Sequence, residues 1–180
     1  MARPDHTLIR KQLLIASGIG MAIFWIVLLV IDQDLEATGG PGILGLEFAG
    51  SRERVAEIMA EWGGHGISLA RLSLWIDFGF MVAYGAFFVL AALATRDFAQ
   101  ERSLPALAKA GIVAPYLAAA AALFDVAENT VWLLALGGHG GELGPPFATA
   151  CASLKFLAIT LAILYPLWGL ASRLRLRRQR

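Results

Sequence analysis

The chain contains one cysteine, Cys151, so an internal disulfide and dithiol redox chemistry within one chain are excluded. Histidine is nearly as scarce. His6, His65 and His139 all lie outside the long apolar blocks, which argues against an intramembrane haem held by paired histidines. Neither sign of charge is in excess. Fifteen Lys and Arg against fourteen Asp and Glu leave a formal net charge of +1, and nothing in that balance calls for a nucleic-acid partner. Phosphate-binding loops, dinucleotide fingerprints and nucleophile elbows are also missing, and Ser73 and Ser153 are isolated helix serines. The cofactor is therefore left unspecified, with haem, nucleotide and dithiol types unsupported.

What the chain has in abundance is apolar length. Of 180 residues, 58% are hydrophobic, and the mean hydropathy is +0.65. A soluble domain of this size is nearer half apolar and interrupts its apolar runs often. Here the excess falls in four blocks, about 13–31, 69–94, 108–136 and 147–171. Each is long enough to cross a hydrocarbon core of about 30 Å as an α-helix. The first block follows basic residues, as a signal peptide would. It is too long for one and ends Val30-Ile31-Asp32 rather than in small residues, so it reads as a retained anchor. The expected fold is all-α: one polytopic four-helix membrane domain over 1–180, with an outer loop at 32–68 and a basic tail at 172–180.

Basic residues give the expected direction. Arg3, Arg10 and Lys11 precede the first span, and Arg96, Arg102 and Lys109 lie between the second and third. Arg173, Arg175, Arg177, Arg178 and Arg180 follow the fourth. The opposite loops hold Arg52 and Arg54, with Arg71 at a helix edge. The positive-inside rule then puts both termini in the cytoplasm and the 32–68 loop, which is acidic, outside. The C-terminal arginines serve as topological determinants and can also meet anionic lipid headgroups. In the outer loop Ser51 can cap a helix over 52–62 that Gly63-Gly64 stops. Val55, Ile58, Met59 and Trp62 give that helix one apolar stripe. Packing on the span ends is the favoured role for such a stripe over a lid.

Ionisable residues inside the spans carry the functional argument. The second span has Asp77, the third Asp125, Glu128 and the polar Asn129, and the fourth Lys155. At 1.5 Å per residue, Asp77, Glu128 and Lys155 lie about 12 Å from the outer ends of their helices and Asp125 about 16 Å. One level therefore collects all four. Ala110, Ala114, Ala118, Ala121 and Ala122 share a face with the charges of span three. Ala148, Cys151, Ala152, Ala158 and Ala162 share a face with Lys155. Small residues mark the sides where membrane helices approach, so the charges point into the bundle. In span two the matching stripe is Ser73, Asp77 and Tyr84.

Each such charge at mid-span costs about 2.5–3.5 kcal/mol. Several unpaired would cost on the order of 10 kcal/mol, comparable with the stability of a whole domain. They must be paired, protonated or hydrated. Lys155 can neutralise one of three carboxyls, Arg71 is a candidate for a second, and one carboxyl is expected to hold or share a proton. Asp125 and Glu128, at i and i+3, are neighbours whose titrations couple.

Pro115 and Pro166 are expected to kink the third and fourth spans, freeing the Gly111 and Ala162 carbonyls. Gly63-Gly64-His65-Gly66 and Gly137-Gly138-His139-Gly140 repeat one tetrapeptide. His65, His139 and Glu142 come nearest to a metal-ligand set, but two histidines in glycine-rich loops do not make one.

Three function classes fit these features. The first is a small transporter or binding protein with an outward polar site at Asp77, Asp125, Glu128, Asn129 and Lys155, with Arg71, Ser73 and Tyr84 as accessories. The second is a non-catalytic assembly or accessory subunit in which the charges fix helix register, working as a homo-oligomer or with a partner subunit. The third is an enzyme acting on a lipid or quinone with Asp125 or Glu128 as general acid/base, which no nucleophile or metal motif supports.

The run Leu74-Trp75-Ile76-Asp77-Phe78 through Tyr84, with Asp125-Val126-Ala127-Glu128-Asn129, resembles patterns in uncharacterised four-helix membrane proteins of bacteria. That resemblance implies the topology and no reaction. The bias toward Ala, Gly, Leu and Arg suits a GC-rich bacterial genome, and the expected location is the inner membrane.

Overall fold

In the computed structural model, residues 6–179 are described. Arg3 and Arg180, counted above among the orienting charges, lie outside them. The described chain is all-helical: α1 (His6–Glu36), α2 (Ile43–Glu47), α3 (Arg52–Glu101), α4 (Pro105–Ala110), α5 (Ala114–Leu136) and α6 (Gly144–Arg178). Four stretches, in α1, α3, α4–α5 and α6, are long and apolar enough to cross a membrane.

Helix boundaries follow the expected punctuation with two differences. Ser51 caps α3, its hydroxyl accepting from the Arg54 amide. Gly63 then interrupts the helical backbone at φ 60°, ψ −169°, a conformation that in practice only glycine adopts. The 52–62 helix, the first arm of α3, therefore ends at Gly63 as expected, but the chain re-enters a helix at once, so this arm joins the membrane-length part of α3 across a kink with no loop between them. One left-handed residue suffices to turn the arm; the remaining glycines of the tetrapeptide stay helical.

The second difference concerns the third span. Its expected kink at Pro115 is instead a break. The chain leaves the helix over 111–113 in a pair of turns, with Ile112 N donating to Lys109 O and Val113 N to Ala110 O. Pro115 then sits in the first turn of α5, where its missing N–H has no partner to lose. Pro105 and Pro145 open α4 and α6 in the same way. Pro166 lies inside α6, which continues through it.

α3 is the central helix. It packs against α1 on one side and against α5 and α6 on the other, while α5 and α6 form a hairpin. The small-residue faces meet as their spacing demands: Ala114, Ala118 and Ala121 of α5 and Ala148, Cys151, Ala152, Ala158 and Ala162 of α6 are all buried. α1 is peripheral. Only 6% of its most apolar stretch is buried, against 22% to 33% for the others, and it lies along α3 without packing along α6.

The end of the bundle that carries α2 is closed by an apolar cluster. Val55, Ile58 and Trp62 from the first arm of α3 meet Leu35, Leu46, Leu74, Trp132 and Leu136. This is what the 52–62 stripe covers. α2 is fastened at both ends. Asp32 Oδ1 accepts from the Ile43 amide at 2.6 Å, and Gly42 has no room for a Cβ, which would fall 2.7 Å from that carboxylate. At the other end Thr149 Oγ1 accepts from Gly50 N and donates to the Glu47 carbonyl. Trp62 Nε1 ties down the preceding loop by donating to Pro41 O at 2.7 Å.

Candidate functional site

Lys155 is the hub of the site. It is 4% exposed, carried on the small-residue face of α6, and its Nζ faces three carboxyls. Asp125 Oδ1 accepts from it at 3.1 Å and Glu47 Oε2 at 3.3 Å. Glu128 Oε2 lies 2.8 Å away at ion-pair distance, though without the angle of a hydrogen bond, so both Glu128 oxygens lack a hydrogen-bond donor. The arrangement matches the chemistry of an ammonium, whose three N–H donors radiate from one point.

Further hydrogen bonds fix the carboxyls. Tyr84 of α3 donates to Asp125 Oδ2 at 2.9 Å, occupying the oxygen that Lys155 leaves free. Asn129 directs its amide nitrogen to Asp77 Oδ2 at 2.7 Å and more distantly to Leu74 O at 3.4 Å. Both Glu128 and Asn129 are fully buried. Asp77 differs from the other three carboxyls: among the described residues it forms no ion pair, and its partner is a neutral amide.

Asp77, Asp125, Glu128, Asn129 and Lys155 are thus brought together, as their common level and faces require, and Tyr84 joins them. Ser73 is buried beside them. Arg71 does not join. Its guanidinium donates to the Leu136 carbonyl at the end of α5, capping a helix terminus whose last carbonyls have no intrahelical donor, so it compensates no carboxyl. His65, His139 and Glu142 are exposed, and among the described residues no group of three or more His, Cys, Asp or Glu gathers in a metal-holding arrangement.

Glu47 was not anticipated. It belongs to the loop expected to be acidic and outward, yet it is 7% exposed and reaches Lys155 from α2. Its signal was the run Ile43-Leu44-Gly45-Leu46-Glu47-Phe48, an apolar stretch between glycines in an otherwise polar loop. Burial pushes the Glu47 carboxyl above its ordinary value, against the pull of the Lys155 ammonium. The count becomes four carboxyls around one amine, a formal charge of −3 were all four ionised.

Beside this cluster is a cavity of about 760 Å³. Glu47, Ser73, Asp77, Tyr84, Asp125 and Lys155 form one polar wall. The rest is apolar: Met21, Trp25 and Leu29 of α1, Ile43 and Leu44 of α2, and Phe156, Ile159 and Ile163 of α6. The expected site is polar and open to the outside. The one found is polar mainly on one side, because the α1 residues that line it are apolar except Asp32. A concave, mostly apolar space with a few convergent polar groups is the usual form of a small-molecule site.

Comparison with protein families, curated proteins and solved structures finds no match to the chain.

Proposed function

We propose that the protein is a multi-pass protein of the bacterial plasma membrane that binds a small cation in exchange for a proton at Asp77. The orientation follows the basic residues: both termini cytoplasmic, α2 and the first arm of α3 on the outer face. The site then lies in the outer half of the bilayer. The observation that carries the proposal is the state of Asp77, the one carboxyl of the four without an ion pair among the described residues, on the wall of a cavity large enough for a ligand. A carboxylate held by a neutral amide in an apolar surround requires a positive partner, and a proton and a ligand cation compete for that place. Lys155 with Glu47, Asp125 and Glu128 is the fixed frame, and Tyr84 sets its geometry.

The test is exchange in proteoliposomes with a pH-sensitive dye in the lumen. Inward tetraethylammonium should drive protons out in vesicles holding the wild type, and Asp77→Asn should abolish the response. Equal proton movement in Asp77→Asn vesicles and in wild-type vesicles would refute the assignment.

A second reading draws on a specific observation, the three carboxyls converging on Lys155. Those contacts join α2, α5 and α6 and would serve an assembly subunit whose charges set helix register. On that account no cation moves, and the protein leaves gentle extraction with a partner attached.

A further inference from the structure

The ligand's chemical class and its route can be read from the shape of the cavity, given the orientation and the Asp77 cation site proposed above. We infer that the site takes a lipophilic ammonium compound, a single cationic head on an apolar body, which enters sideways from the outer leaflet between α1 and α6.

Three features support this. The route from the outer face is shut: α2 lies across it, fastened by Asp32 and Thr149, with Glu47 drawn onto Lys155. The side is open. α1 is packed along α3 and not along α6, and residues of both helices that line the cavity reach the molecular surface, Trp25 and Ile26 at 54% and 60% exposed and Phe156 at 39%. A molecule already dissolved among lipid chains would meet that opening without crossing a polar layer. Finally, the polar wall is acidic. Besides Asp77, which forms no ion pair among the described residues, Asp32, Glu47 and Asp125 line the cavity, and the four carboxyls of the cluster outnumber its single amine. An ammonium head fits that wall. A phosphate carried alongside it would be repelled, so the occupant is a phosphate-free amine and not an ethanolamine phospholipid.

Photolabelling tests the inference directly. The purified chain in dodecyl maltoside, a non-ionic solvent, is mixed with hexadecylammonium carrying a diazirine in mid-chain, irradiated, and mapped by peptide mass spectrometry. Saturable labelling is expected on the α1 stretch around Met21–Leu29 and the α6 stretch around Phe156–Ile163. Excess unlabelled hexadecylammonium should reduce it at least fivefold, and the matching diazirine alcohol should give none that saturates. Asp77→Asn should lose the saturable part. Ala22→Phe, which fills the apolar wall and touches no charge, should lose it too, and this variant preserves the test should Asp77→Asn fold poorly. Tetraethylammonium, added as the head alone, should protect against labelling. If tetraethylammonium binds with proton release but no labelling saturates, lateral entry of an amphiphile is wrong while the cation site stands. If tetraethylammonium neither binds nor protects and no labelling saturates, both fail together. Competition by phosphatidylethanolamine as effective as that by the free amine would overturn the phosphate-free assignment.

Discussion

An ammonium has three donors, and around Lys155 three carboxyls take up its charge. Taking those groups out of water is costly, and what offsets the cost is their closeness to one another. Lys155→Met leaves Glu47, Asp125 and Glu128 facing one another without a cation. The expected loss is about 3–5 kcal/mol, read as the shift in denaturant unfolding in mild detergent. An unchanged midpoint would mean the carboxyls are neutral without Lys155. Tyr84→Phe removes a donor to a buried carboxylate and should lose about 1.5–3 kcal/mol in the same assay. At this scale the sequence was readable wherever helix periodicity applies: Asp77, Asp125, Glu128, Asn129 and Lys155 share a level and inward faces, and all five meet. It failed where reach depends on the tertiary path. Glu47 comes from a loop whose distance to the spans no period sets. Arg71 has a long side chain whose nearest acceptor, a helix-terminal carbonyl, is a backbone group invisible in a count of charges.

The elements that place these residues make their own predictions. α2 is one and a half turns held by Asp32, Trp62 and Thr149, and its burial raises the Glu47 carboxyl above the ordinary 4.5. The sign follows from proton counting. As pH rises past 4.5 the unfolded chain gives up this proton while the folded one keeps it, so stability falls over that range. Below it the contribution is fully present. In Glu47→Gln this part of the pH dependence should vanish, seen as a difference between the two unfolding curves across pH; parallel curves would contradict it. Gly63→Ala forces a Cβ onto φ 60°, ψ −169° and should lose about 1–3 kcal/mol, with faster amide exchange in the 52–62 arm. The arm itself was legible from Ser51, the Val55–Trp62 stripe and Gly63. α2 was not, because five residues are too few to show a period. The break before α5 was misplaced as a kink, since Pro115 alone does not say whether the turn before it stays helical; Gly111 and the β-branched Ile112 and Val113 let it open.

At the scale of the molecule, four long apolar stretches were the plainest feature of the sequence, and four helices of that kind are present. Which stretches touch was less accessible. α1 carries no charge across its apolar stretch 13–31, its small residues Gly18 and Gly20 lie against Phe87 and Ala83 of α3, and it ends on the rim, leaving the cavity between itself and α6. The proposed orientation predicts fluorescence from a green fluorescent protein joined to the C-terminus and activity from an alkaline phosphatase joined after residue 50; the reverse pattern would invert the molecule. The central claim is that Asp77 is retained for a ligand and not for folding, whereas Lys155 and its partners are retained for folding. The most direct test is the unfolding free energy of Asp77→Asn against wild type in detergent without added cation. Asparagine keeps the shape and can still accept from Asn129, so the account predicts stability equal to or above that of the wild type. A loss of several kcal/mol would make Asp77 part of the structural frame and leave the cavity without its cation site.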